Sequence, residues 1–107
     1  MSGSVLAVGV LGATVLLAGA ALPAVGAVAA QQNVQNAADA AALAAADTIS
    51  GRSAGYPCDN ARRAATLDGA ELASCETSGP VALVSARARY LSFEVSARAR
   101  AGPPGTP

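Results

Sequence analysis

The chain has 107 residues, of which 52% are hydrophobic but only 3% aromatic, and its formal net charge is zero. It contains no histidine, which removes the commonest general base and the commonest metal ligand together. The serines are not paired with a base that could activate them as nucleophiles. We therefore expect no enzyme, no cofactor, no metal site and no small-molecule substrate. The balanced charge and few aromatics also argue against nucleic-acid binding.

The N-terminal segment, residues 1–50, is dominated by an uncharged apolar stretch over residues 5–30. As a helix this stretch would measure roughly 39 Å, more than the hydrocarbon core of a bilayer at about 30 Å. We predict one membrane-spanning helix, with the lipid bilayer as its partner. The alternative is a cleaved signal peptide, because Ala27 and Ala29 satisfy the small-x-small rule before Ala30. That alternative gives a secreted soluble binding module without residues 1–29.

Three glycines recur every seven residues inside the apolar stretch, at Gly12, Gly19 and Gly26. Successive members lie within about 20° of each other on the helix face. Small residues in line allow a second helix to approach closely, so this line predicts helix packing; the alternative is that glycine is simply frequent in spanning helices. Pro23 removes a backbone donor and predicts a bend.

Beyond Ala30 the helix is predicted to continue into water, since an alanine-rich sequence of high helix propensity follows without a helix breaker. One side is polar, and the opposite side is a stripe of small residues. The stripe comprises Val34, Ala37, Ala38, Ala41 and Ala45. It requires a neighbour, which is either another copy of the helix or the distal domain folding back.

Residues 51–101 are predicted to form a small domain, followed by a flexible tail over residues 102–107. The fold class is α+β, with one short helix on a three-stranded antiparallel sheet. The predicted elements are a helix over residues 60–68 capped by Asp59 and stopped by Gly69, and strands over residues 70–77, 81–90 and 93–101.

The last two strands repeat the pentapeptide Ser-Ala-Arg-Ala-Arg, starting at Ser85 and at Ser96. A two-residue loop at Leu91 and Ser92 keeps all the arginines on one face and places Arg89 opposite Glu94. The arginine face is defined as Arg87, Arg89, Arg98 and Arg100. Its functional interpretation is a docking surface for acidic protein or phospholipid, and the alternative is an ordinary solvated face. The other face is predicted to pack on the short helix. It comprises Val84, Ala86, Ala88, Tyr90, Phe93, Val95, Ala97 and Ala99.

Cys58 and Cys75 are the two cysteines of the chain. Their spacing is far from that of a CxxC redox pair, and a zinc site would need further ligands, so a structural disulfide is favoured. A disulfide forms in an oxidising compartment. The predicted topology is therefore single-pass, with the N-terminus in the cytoplasm and the C-terminal domain outside the cell.

Several segments together resemble a known family. They are the N-terminal Gly3 to Val8, the long Gly/Ala/Leu helix, the stretch QNAADAAALAAA over residues 35–46, Pro57-Cys58, the later Cys75 and the terminal Ala-Arg-Ala-Arg-Ala-Gly. The chain resembles the actinobacterial TadE-like proteins of the helicase/secretion neighbourhood, relatives of TadE- and TadG-type minor pilins of the tight-adherence (Flp) pilus.

The resemblance implies a membrane-inserted, pilin-like protein that assembles with or assists a thin surface filament. Its implied partners are other pilin-like subunits and pilus or secretion assembly proteins. The chain departs from the pattern of Flp prepilins at Val8, where the resemblance implies a glutamate, counting from a cut after Gly3. Prepilin-type cleavage is therefore not expected.

Overall fold

The computed structural model describes residues 2–104; Met1 and residues 105–107, the end of the expected tail, lie outside the described residues. The elements in chain order are α1 (Ser2–Ile49), α2 (Pro57–Leu67), β1 (Glu71–Ser78), β2 (Val81–Tyr90) and β3 (Phe93–Ala101). The predicted α+β layout is confirmed. We refer to α2 together with the three strands as the head.

Helix α1 is a single element of 48 residues and continues through Pro23. At about 1.5 Å per residue it measures roughly 72 Å, close to the 75 Å longest dimension of the molecule. The predicted continuation of the helix beyond the apolar stretch is confirmed. Pro23 does not break the helix, and the bend expected there stays a prediction.

The small-residue stripe of α1 is covered by the head, so the distal domain folds back. Val34 is 2% exposed, and Ala37, Ala38, Ala41 and Ala45 are fully buried. Alanine leaves little side chain between backbones, so the sheet and α2 approach the helix closely. The compact core therefore includes the distal part of α1, and the division of the chain at residue 50 stays a prediction.

Helix α2 begins earlier than predicted. Its first residue is Pro57, preceded by Tyr56 as N-cap with no side-chain capping bond. Asp59 lies inside the first turn and pairs with Arg62 at 3.3 Å. The predicted Asp59 cap was therefore wrong: proline at the first position already has the helical φ, and the acidic side chain instead favours the positive end of the helix dipole. Gly69, with φ of 80°, follows the helix as predicted.

The sheet has the order β1-β2-β3 and both pairings are antiparallel. The predicted hairpin register is confirmed: Arg89 pairs with Glu94, and Tyr90 pairs with Phe93 across the two-residue loop. Leu91 has a φ of 55°, which is unusual for a branched apolar residue. A two-residue loop between antiparallel strands takes a turn with a positive φ at its first residue, and Leu91 holds that position.

The inner face of the sheet packs mainly on α1, which corrects the prediction that the short helix would cover it. Ala86 and Ala97 share a cluster with Val34, Ala37 and Ala38 of α1. Only near Val84 do Ala61 and Ala65 of α2 join the core. A helix of 11 residues covers one end of a sheet with strands of up to 10 residues, whereas α1 runs along its whole length. 

Phe93 was also expected on this packed face, but it is 69% exposed. It lies next to the hairpin loop, at the end of the sheet that projects past the small-residue stripe.

Candidate functional site

Most of the apolar half of α1, residues 5–30, extends beyond the head. Its eleven large aliphatic side chains, from Val5 to Val28, are between 59% and 76% exposed. The best 18-residue window of the helix has a mean hydropathy of 2.4 and none of it is buried. By length and composition this helix can cross a membrane. One helix therefore has two environments, a bare apolar half and a half covered by the head.

The three spaced glycines occupy different surroundings. Gly12 and Gly19 face open space, whereas the hydroxyl and ring of Tyr90 lie where a side chain at Gly26 would be. The absence of a side chain at Gly26 therefore makes room for Tyr90 of the same chain. Packing of a second helix along Gly12 and Gly19 stays a prediction.

Tyr90 joins the end of the hairpin to the apolar half of α1, a contact that the sequence analysis missed. Its hydroxyl donates a hydrogen bond to the Pro23 carbonyl at 2.8 Å. Together with the Gly26 contact, this bond fixes the level of the loop along the helix. The only sequence signal was a tyrosine at a strand end, which does not specify a partner 67 positions away.

Two glutamines of α1 bind the outer edge of β3. Gln31 donates to the Ser96 carbonyl at 3.1 Å, and Gln35 donates to the Arg98 carbonyl at 3.0 Å. An unpaired strand edge invites pairing with other chains. The glutamines therefore close one edge of the sheet and also set its register along the helix.

We expect Gln35→Glu to destabilise the head by about 1 kcal/mol, the scale of one hydrogen bond. The new carboxylate cannot donate to Arg98, and it would face Asp39, which Gln35 now binds at 3.1 Å. The measurement is thermal unfolding followed by circular dichroism. The matched control is Gln32→Glu, because Gln32 donates to the side-chain amide oxygen of Asn36, also at 3.1 Å, and Asn36 can turn its own donor toward the new carboxylate. Equal losses in both variants would contradict the edge role.

The arginine face is exposed, but it is not purely basic. Arg87 pairs with Glu71 at 3.2 Å, and the hydrogen bond to Glu71 raises the pKa of the Arg87 guanidinium. The register also places Glu94 and Glu76 on this face. Four arginines and three glutamates leave little net charge, which favours the solvated alternative. Docking through these arginines stays a prediction.

The predicted disulfide between Cys58 and Cys75 is present. It joins α2 to β1, with 5.8 Å between the two Cα atoms. At its start, α2 is also fastened to α1, since Asn60 donates to the Thr48 hydroxyl at 2.8 Å. The head is thus tied together at the end distant from the hairpin loop.

These features define a class of protein: a small disulfide-closed α+β head carried on one side of a long helix whose other half is bare and apolar. Residues 2–48 match the family model described as "Putative Flp pilus-assembly TadE/G-like". This segment is therefore similar to the TadE/G-like family, as the resemblance implied, while the actinobacterial neighbourhood stays a prediction. The chain has no significant match among curated proteins or among solved structures.

Proposed function

We propose that this protein is a membrane-anchored, pilin-like component of a tight-adherence (Flp) pilus or a related secretion apparatus, with a structural or assembly role. The apolar half of α1 is the anchor and assembly element, and the head is the exposed face. Its partners are the bilayer, other pilin-like subunits and pilus assembly proteins. The family match over residues 2–48 supports this proposal because it covers the helix itself.

The observation that carries the anchor role is the contrast along α1. Residues such as Leu16, 76% exposed, have no protein neighbour to remove them from water, whereas Ala41 on the same helix is fully buried. Burying the large aliphatic side chains of the span in lipid is strongly favourable, at about 25 cal/mol per Å² of apolar surface. The disulfide supports a topology with the head outside the cell and the N-terminus in the cytoplasm.

The second candidate is the secreted binding module that would follow removal of residues 1–29. The core is compatible with it, since the buried residues of α1 begin at Val34. However, cleavage would remove Pro23 and Gly26, both of which Tyr90 contacts. A head that makes specific contacts to those residues favours retention of the helix.

The test is the state of the protein in its native host. We expect it to stay with membranes through an alkaline wash, to require detergent for extraction and to have an intact mass that includes residues 5–30. A mature chain beginning near Ala30 would establish the secreted alternative. Capture of the extracted protein with pilus assembly components would support the assembly role.

Two variants separate membrane retention from folding of the head. Leu16→Arg should weaken retention, because an arginine at the centre of a span costs about 2.5 to 3.5 kcal/mol on insertion scales. Leu43→Arg adds the same charge at a residue that is 59% exposed and lies beyond the apolar half. It should leave retention unchanged. Equal release of both variants would argue against the anchor.

A further inference from the structure

We propose that the hairpin tip, residues 90–93, is a second membrane contact that inserts into the outer lipid-water interface beside α1. This inference rests on the proposed anchor role. It places a lipid-binding site in the head, at residues that are far from the membrane-spanning segment in the sequence.

The position of the tip carries the argument. A hydrocarbon core of about 30 Å accommodates about 20 helical residues, so a span that starts at Val5 leaves the core near residue 24. The Tyr90 hydroxyl binds the Pro23 carbonyl and the ring lies on Gly26. The tip is therefore held at the depth where the chain passes from hydrocarbon to headgroups. The surplus length of the apolar half, residues 25–30, lies alongside the hairpin.

The chemistry of the tip fits that depth. Leu91 is 72% exposed and Phe93 is 69% exposed, and neither has a place in the core of the head. Tyr90 is an aromatic with a polar end, the kind of side chain enriched where membranes meet water. Arg89 and Glu94 form the next cross-strand pair after Tyr90 and Phe93, and both are charged. Apolar contact with lipid is therefore confined to the tip.

Lipid is favoured over a second copy of the chain as the occupant because the tip is continuous with a helix surface that is itself lipid-facing. The residue at the turn fits the same reading: the positive φ of Leu91 is one that hairpin turns normally give to asparagine or glycine, yet this exposed position carries an apolar side chain. Contact with a second copy is left as an outcome of the test.

The chain lacks tryptophan, so one introduced tryptophan reports a single location. We would place Phe93→Trp, in the full-length protein, in phosphatidylcholine and phosphatidylglycerol vesicles containing lipids brominated either near the headgroup or near the chain end. We expect blue-shifted emission, with stronger quenching by the shallow bromines than by the deep ones. Ser92→Trp, at the neighbouring exposed loop residue, should behave likewise and guards against a local effect at position 93.

Two reference variants separate the outcomes. Leu16→Trp lies near the middle of the span and should be quenched most by the deep bromines. Tyr56→Trp is at the opposite end of the head, 76% exposed, and should show red-shifted emission without lipid quenching. If Leu16→Trp is quenched but positions 92 and 93 behave like position 56, the tip proposal is wrong and the anchor stands. If Leu16→Trp is not quenched either, the anchor itself fails and the tip proposal with it.

A third outcome identifies protein in place of lipid. Blue-shifted emission at position 93 that resists brominated lipid and reverts to red as the protein is diluted in lipid would mean that the tip contacts a second copy. That result would overturn the proposal. Circular dichroism of each variant checks that the head remains folded.

Discussion

Replacing both cysteines, in Cys58→Ala/Cys75→Ala, is expected to lower the free energy of unfolding by about 3 kcal/mol, the chain-entropy value for a loop of about 15 residues. For a domain of this size such a loss lowers the unfolding temperature by roughly 12 to 24 °C. The effect is large because the core is light: its largest fully buried side chains are Val34 and Val84. Thermal unfolding in detergent, followed by circular dichroism, measures it.

The controls identify the covalent link as the cause. Cys58→Ala alone should destabilise as much as the double variant, because either change removes the bond between α2 and β1. Reduction of the parent protein should match both. A double variant that unfolds within a few degrees of the parent would show that packing on α1, and not the disulfide, holds α2 in place.

The parts of the fold that the sequence specified are those governed by short-range pattern. The uncharged run over residues 5–30 and the alanines after it predicted one long helix. The arginine alternation on either side of Leu91 and Ser92 required an even loop, and the shortest even loop gives the observed strand register. In both cases one short-range sequence pattern points to one structure.

The wrong and the missing predictions concern features that depend on how separate helices and strands pack together or on which of two local signals prevails. The apolar face of the sheet could pack on either helix, and no local pattern shows which of the two covers it. Asp59 and Pro57 both mark a helix start, and the fixed φ of proline decided it. The contacts of Gln31, Gln35 and Tyr90 to distant backbone carbonyls depend on how the head lies along the helix. Side-chain type alone does not specify such partners.

The small-residue stripe of α1 has two candidate neighbours, the head and a second helix, and they predict different effects of a substitution in the stripe on the stability of the head. In the structure the head takes this place. Ala41 is fully buried and shares a cluster with Ala61, Ala65 and Val84. No polar or charged residue is buried anywhere in residues 2–104. A carboxylate introduced at this position would therefore find neither a charge partner nor room.

We expect Ala41→Glu to destabilise the head by about 3 to 5 kcal/mol, the scale of an uncompensated buried charge. Burial raises the pKa of such a carboxyl above its ordinary value of about 4.3, so the penalty is present at neutral pH and shrinks as the pH falls and the group is protonated. Protease sensitivity of the head, with the anchor still in the membrane, measures the loss.

Leu43→Glu is the matched control, because Leu43 lies on the same helix, two positions away, and is 59% exposed. It should leave the head resistant to protease, since the new carboxylate stays in water. If Ala41→Glu were equally harmless, the stripe would not be covered by the head in the membrane. The alanines would then be free to pack against a helix of another subunit, and the fold-back arrangement on which the hairpin contact depends would be wrong.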